Sequence, residues 1–547
     1  MSQRSRGSEE ARSALECGNL LPLSVRPAWW PFGGRAESNA KIAASKLARR
    51  KAAARCRTPK RLRRVRIVAS VVLLLLLAIP VAARDYPPDV PPPKPITIPS
   101  PSIQTLANGL QVVVVERHSL PLITLKLVVK AGAEFDPAKL PGTAQLLNSI
   151  LAEGTTHRTS HQIAEAIDAV GGVVDNGAGW DGSFLTLSVL SDQADLAYDL
   201  VSDMIRNPAF DPAEIERQRK QTLSGLEVMH DDPSYVADTV FQGTIFEGSP
   251  YSHPEDGTLA SVPLISAADL RDFHARYYQP ENCVLAVVGD ITTAEAFDRA
   301  RRYFSSWKNS APPAVAPAAT PREFHERQVI AVDKPEAVQT EIRIGNRGVP
   351  RNSPDYLALS VANEILGGPS ENRLFKALRS RQGLTYGASS DLICHRTQGA
   401  WIAKTFTRTP ETLKSAHVAL GEIRSFRERE ISRQELETAQ SYLIGHLALE
   451  FETSENLASQ VLEEIQYGLP LDYWNRYPDR IRALSSEEIW TATKQYLDSD
   501  NNLVVLVGNL ADFKKDLKKI GSVRVIPLSE IDFGSASLLR TQGKEGK

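Results

Sequence analysis

A chain of 547 residues is too long for one ordinary domain and implies two or three, each able to bury its own core. Its hydrophobic and charged fractions are those of a globular protein. The formal charge of −1 hides a segregation, because residues 1–66 carry about thirteen net positive charges; the remainder is distinctly acidic, which argues against a general nucleic-acid binder.

The basic segment 1–66 has no export-signal character over most of its length and is expected to be disordered. It ends in "RLRRVR", and an apolar run over 67–83 follows, with Val81-x-Ala83 offering small residues for cleavage before Arg84. Arginines ahead of such a run form the n-region and h-region of a signal peptide, and the run is also close to the length of a membrane anchor. The chain is therefore expected to be periplasmic or secreted, or held at the inner membrane by residues 67–83. Residues 84–101 ("DYPPDVPPPKPITIPSP") form a proline-rich spacer of extended character. Only two of the four cysteines, Cys283 and Cys394, follow the apolar run, and two are no disulfide framework.

A second proline- and alanine-rich linker, 310–323, divides the rest into nearly equal portions, 102–309 and 324–534, with a disordered tail expected over 535–547. The portions look alike. "FHARYYQPENCVLAVVGDIT" closes the first with a helix, a polar turn and a buried strand ending at Val288-Gly289-Asp290, and "ATKQYLDSDNNLVVLVGNLA" does the same around Val507-Gly508-Asn509. Strand runs interleaved with helices in two copies predict a duplicated α+β architecture. Helix starts are legible too: Thr159-Ser160-His161-Gln162 has capping-box spacing, and Gly171-Gly172 supplies a stop. The cap at Thr159 places His157 outside the helix that holds His161, so one helical face does not present both to a metal. "GWDGSFLTLSVL", Gly179 to Leu190, alternates as a strand.

The stretch "PGTAQLLNSILAEGT", Pro141 to Thr155, has helical periodicity, with Ala144, Leu147 and Leu151 on one side and Gln145, Asn148 and Ser149 on another. That polar stripe has the spacing of a metal site without an imidazole or carboxylate in it. Its bland reading is a solvated or hydrogen-bonded helix face.

"ANGLQVVVVERHSLPLITLKLVVKAGAEFD", "GTAQLLNSILAEGT", "IERQRKQTLSGLEVMHDDP" and "LFKALRSRQGLTYGASS", in that order, resemble the insulinase/pitrilysin family of zinc peptidases, in its short processing-peptidase-like branch. The resemblance spans nearly all of Ser102 to Phe533. It implies an α+β fold of two homologous α/β-sandwich domains forming a clam-like half-chamber. Active members carry H-x-x-E-H on the first helix, two histidines for zinc and a glutamate to activate water. Here the histidine positions hold Gln145 and Ser149, the glutamate position holds Asn148, and the third ligand, a later glutamate, falls at or next to Gly225. Gln218 stands where a supporting acid would be, and Glu227 lies nearby. Neutral amides and a hydroxyl are poor zinc ligands, and Asn148 has no pKa suited to a general base.

Arg379 and Tyr386, seven residues apart in "RSRQGLTY", match the arginine and tyrosine that the family's second domain contributes to the cleft, gripping substrate and stabilising an oxyanion. Outside that context they read as a surface helix arginine and a half-buried strand tyrosine. Gly367 and Gly368 sit where related subunits have a longer glycine-rich loop; a helix cap before Pro369 is the plainer reading. The resemblance thus implies a non-catalytic subunit of an exported zinc endopeptidase, binding no zinc itself, whose partner is a zinc-bearing H-x-x-E-H paralogue and whose substrates are extended peptides. The alternative is a catalytically inactive peptide-binding or scaffold protein with no peptidase partner.

Overall fold

Among the described residues of the computed structural model, twelve strands fall into two six-stranded sheets. The structure describes residues 98–310, 312, 315, 323–369, 372–535, 538 and 539. The basic segment, the apolar run, nearly all of the first spacer and most of the 310–323 linker lie outside the described residues.

The first sheet contains β1 (Ser102–Thr105), β2 (Gln111–Glu116), β3 (Leu122–Val129), β4 (Val173–Ala178), β5 (Ser183–Leu190) and β6 (Cys283–Gly289), in the order β1-β2-β6-β3-β5-β4. The second contains β7 (Gln328–Asp333), β8 (Gln339–Arg347), β9 (Ala388–Cys394), β10 (Gly399–Arg408), β11 (Leu503–Gly508) and β12 (Ser522–Pro527), in the order β12-β7-β11-β8-β10-β9. Five strands correspond one to one, including the parallel pairs β2/β6 and β7/β11. The duplicated α+β architecture is present. Its copies differ at one edge, where β1 runs antiparallel to β2 but β12 runs parallel to β7.

The first half carries helices α1 (Thr143–Ser149), α2 (Ser160–Asp168), α3 (Ala194–Arg206), α4 (Pro212–Asp231), α5 (Pro233–Ile245), α6 (Ala267–Tyr277) and α7 (Thr293–Phe304). The second carries α8 (Tyr356–Gly367), α9 (Thr412–Glu428), α10 (Arg433–Glu450), α11 (Ser454–Gln466), α12 (Tyr473–Ala483) and α13 (Ser486–Tyr496). Complete capping boxes start α2, α6, α7, α10 and α13, satisfying backbone donors that would otherwise be orphaned. The box at Thr159 and Gln162 is the one legible in the sequence. Gly171, at φ +63°, then ends the α2 turn.

The first half buries a core of its own, and the two halves also share cores. On one face of the first sheet Ile123, Leu125 and Leu127 pack with Leu147, Tyr198 and Phe304 of its own helices. Its other face, with Val113, Val115 and Val288, joins a core containing Leu457, Val461 and Leu462 of α11, from the second half. Reciprocally, Val236, Val240, Phe241 and Ile245 of α5 pack with Ile330, Val332, Ile402 and Val505 of the second sheet. Each half lends a helix to the other. Burial of such side chains contributes roughly 1.5–3 kcal/mol apiece, so separating the halves would expose a large apolar area. The packed chain also continues past Phe533: Leu538 is buried in that third core and Leu539 bridges Ile531, so 534 is not the end of the folded part.

Candidate functional site

Helix α1 starts where Gly142, at φ +92°, turns the chain. No side chain at that position caps it. Instead the half-buried Asp136 carboxylate accepts from Gly142 N at 2.6 Å and Ala144 N at 2.8 Å. Burial pushes the Asp136 carboxyl up to about 8, against the pull of those backbone donors.

The polar stripe on α1 is occupied with holding the fold. Gln145 Oε1 accepts from Ala178 N of the edge strand β4 at 2.8 Å. Asn148 is buried; its Nδ2 donates to the Tyr278 hydroxyl at 3.0 Å, its backbone carbonyl accepts from Asn176 Nδ2, and its Oδ1 has no partner. Burial raises the Tyr278 phenol well above its ordinary range, so it stays neutral. The Ser149 hydroxyl turns back onto Leu146 O at 2.8 Å. Gly225 is exposed on α4, with open space where a side chain would stand. Gln218 Nε2 donates to Glu153 Oε1 at 2.8 Å, and Glu153 also pairs with Arg217 at 2.6 Å. Glu227 is exposed.

These residues do not fit zinc. Two amides, a hydroxyl and a glycine provide no imidazole, thiolate or carboxylate, and the Gln145 carbonyl oxygen, the Asn148 amide nitrogen and the Ser149 hydroxyl already have protein partners. Among the described residues no cluster of three His, Cys, Asp or Glu could hold a metal ion. His157 turns to Asp203 at 2.7 Å, whereas His161 projects from α2 towards Glu165 at 3.7 Å.

Arg379 and Tyr386 stand together. A short helical turn, Arg373–Phe375, is capped by Asn372 and widens into a π-turn over Lys376–Ser380, a form of local strain common at functional sites. Gly383, at φ +60°, reverses the chain, and Leu384 N returns to Leu378 O at 2.9 Å. Arg379 Nη1 then donates to the Tyr386 carbonyl at 2.7 Å, and its guanidinium lies 4.4 Å from the Tyr386 ring and 5.0 Å from that of Phe375. Among the described residues its other guanidinium nitrogens have no hydrogen-bond partner. Tyr386 is 67% exposed, so the half-buried strand position that its surroundings suggest is not what it occupies. It lies in the loop before β9.

Two further expectations are refined. Gly367 ends α8 and Gly368 caps it, but with an ordinary φ of −61°. What requires glycine is Gly367, where a Cβ would stand 2.2 Å from Ser390 N of β9. The alternating strand within Gly179–Leu190 is β5, paired on both sides by β3 and β4. The edge on that side of the sheet is β4.

Sequence reasoning missed Asp136, Asn176 and Tyr278. Their roles depend on contacts 6 to 130 residues away, and no local pattern marks them.

The model of the insulinase domain (peptidase family M16) matches residues 111–254, and that of the peptidase M16 inactive domain matches residues 264–443. Together they cover β2 through β10 and both groups of residues just described. The chain belongs to the peptidase M16, or insulinase, family.

Its relatives include an uncharacterized zinc protease of Mycobacterium leprae, 30% identical over 54% of this chain and 66% of that protein. Another, from Mycobacterium tuberculosis, is 28% identical over 69% of this chain and 86% of its own length. Among solved structures, a peptidase M16 inactive domain from Pseudomonas fluorescens superposes with a TM-score of 0.70 at 28% identity, covering 75% of this chain and 97% of that one. A protease from Helicobacter pylori has the same fold at 18% identity, with a TM-score of 0.70 over 75% of this chain and 99% of that one. The M16 member described here keeps the fold with a first-helix stripe that cannot ligate zinc.

Proposed function

We propose that this chain is the non-catalytic, substrate-binding subunit of an exported zinc endopeptidase, and that it completes an active site whose zinc is carried by a paralogous partner of the short, processing-peptidase-like branch. The observation that carries this reading is a division of labour. The first-half positions have lost every ligand, while the half-buried Arg379 and the exposed Tyr386 in the second half remain adjacent and locally braced. The M16 inactive-domain match over 264–443 and the relatives named zinc proteases support it.

In the assembled enzyme, zinc on the partner would supply the activated water. This chain's part is positional and electrostatic. A guanidinium with free donors and a phenol hydroxyl, both fixed by their loop, can grip a peptide carbonyl and oppose negative charge as it develops there. Residues 67–83 would direct the chain out of the cytoplasm and, uncleaved, hold it at the membrane.

The test is to isolate the native complex from membrane and periplasmic fractions and sequence its stoichiometric components. A partner bearing H-x-x-E-H, with peptidase activity in the complex and none in the lone chain, supports the proposal. Recovery of the chain alone or with copies of itself would favour the scaffold alternative, and proteolysis by the pure lone chain would refute both.

A further inference from the structure

At one end of the first sheet four aliphatic side chains face solvent: Leu120 is 61% exposed, Leu122 39%, Leu190 45% and Val173 54%. The strand register shows that they are neighbours. Leu122 and Leu190 are cross-strand partners, so they point to the same face of the sheet. Two residues further in, Thr124 pairs with Ser188, which in turn pairs with Val173, placing Val173 on that face in the next row. The hydroxyls of Thr124 and Ser188 are joined at 2.8 Å, which fixes that orientation. Leu120 belongs to the exposed β2–β3 turn immediately before the patch. Further along the same face Lys126 reaches Ser459 of α11, so the lent helix covers the middle of the sheet and leaves this end bare.

The chain enters the fold at the same end. Ser102 of β1 lies opposite Val114, and β1 runs antiparallel to β2, so β1 begins at the end of β2 that leads into the turn carrying Leu120, while upstream Ile98 donates its N–H to Asn475 Oδ1 of α12 at 3.2 Å. Upstream of Ile98, the 84–97 stretch is the only sequence between the fold and the apolar run at 67–83. Even fully extended it reaches roughly 50 Å. That tether keeps the entry point, at the patch end of the sheet, within about 50 Å of whatever holds the apolar run.

We propose that this end of the first sheet rests on the lipid bilayer, with Leu120, Leu122, Leu190 and Val173 seated at its interface. The proposal rests on the reading that residues 67–83 remain in the membrane. The patch borders favour a neutral lipid surface over an anionic one: Glu116, Asp192 and Asp290 outnumber Arg117 and His118, and His118 is engaged by Asp290 at 2.7 Å while Arg117 is engaged by the carbonyls of Phe451 and Glu452. Seating fixes the orientation of the whole chain on the membrane, since the two halves are tied by exchanged helices.

The test uses the full chain reconstituted in phosphatidylcholine vesicles. Leu120→Trp is compared with Val338→Trp, a still more exposed site in the β7–β8 turn of the other half, and the emission each adds to the parent protein is followed with brominated lipid. The expected result is loss of the added emission at position 120, retention at 338, and no change on raising the salt. Loss abolished by the additional changes Leu122→Ser and Leu190→Ser would strengthen the assignment. If the chain floats with the vesicles but position 120 is quenched no more than 338, the docking surface is refuted while the anchor stands. A chain that does not float refutes both. Peptidase activity in the native complex is unaffected by either outcome and reports separately on the proposed function.

Discussion

Arg379 donates a hydrogen bond to the backbone carbonyl of Tyr386 and lies against that residue's ring, while the Tyr386 hydroxyl is left to solvent. Because the bond is to the main chain, Tyr386→Phe removes the hydroxyl and leaves the arginine's seat intact. In the complex with a zinc-bearing partner, Tyr386→Phe and Arg379→Ala are each expected to lower kcat by about a hundred- to a thousandfold, the usual cost of an oxyanion donor. Arg379→Lys retains charge but loses the flat surface stacked on the ring, so it should recover only part of the rate. Unchanged turnover in both variants of a working complex would remove the pair from the active site.

Two glycines should respond in opposite directions to alanine. Gly225 sits in the interior of α4 with nothing near its missing side chain, so Gly225→Ala should stabilise the protein by about 0.5–1 kcal/mol. Gly367 has Ser390 N at 2.2 Å from its would-be Cβ, and that neighbour is backbone of β9. Gly367→Ala should cost about 1–3 kcal/mol or more through forced displacement. Thermal unfolding of the two variants measures both. A destabilising Gly225→Ala would mean that the open position has a steric role.

Much of the fold was legible because its signals are local. The apolar run in "LQVVVVERH" and the box at Thr159 mark elements that form there, and the repeated Val-Gly-Asp and Val-Gly-Asn strand ends expose the duplication. The exchange of α5 and α11 was not legible, since an amphipathic helix declares that it has an apolar face but not which sheet will cover it. The site divides in the same way. Missing ligands can be read directly from Gln145, Asn148 and Ser149, whereas their new employment depends on Ala178 and Tyr278, which come near only after folding.

Asn148 links α1 to Tyr278 across 130 residues of sequence. Asn148→Ala would leave a buried phenol short of a partner and should cost about 1–3 kcal/mol. Asn148→Glu, which restores the family's residue type in isolation, places a carboxyl in the same buried position and should be more destabilising at neutral pH than in mild acid. Chemical denaturation of both variants at two pH values tests this. Equal stability of the glutamate variant across pH would show that α1 moves to expose it.

A buried cluster where the halves meet gives a pH dependence of determinable sign. The Tyr251 hydroxyl lies 2.9 Å from Glu134 Oε2 and 2.7 Å from Asp181 Oδ1, the Tyr251 ring stacks on His395 at 4.3 Å, and Arg396 and Tyr467 of the second half also reach the two carboxyls, at 2.8 Å from Glu134 and 2.9 Å from Asp181. Burial, helped by Asp181, pushes Glu134 up to about 7 despite Arg396. Burial would raise Asp181 as well, but its bonds to His395, Tyr251 and the Arg396 backbone hold it below its ordinary value. The two therefore act in opposite directions. The depressed Asp181 contributes stability above the ordinary aspartate range that is lost as pH falls. The raised Glu134 contributes stability in acid that is lost as pH climbs from about 4.5 to 7, by about 3 kcal/mol. Glu134→Gln cannot ionise, so its stability relative to the parent should improve by that amount over that window and then level off. The difference in unfolding free energy, measured at half-unit pH intervals, isolates this one carboxyl from every other titration. A difference that stays flat between pH 4.5 and 7 would mean that Arg396 keeps Glu134 ionised throughout, and that the junction is an ordinary ion pair.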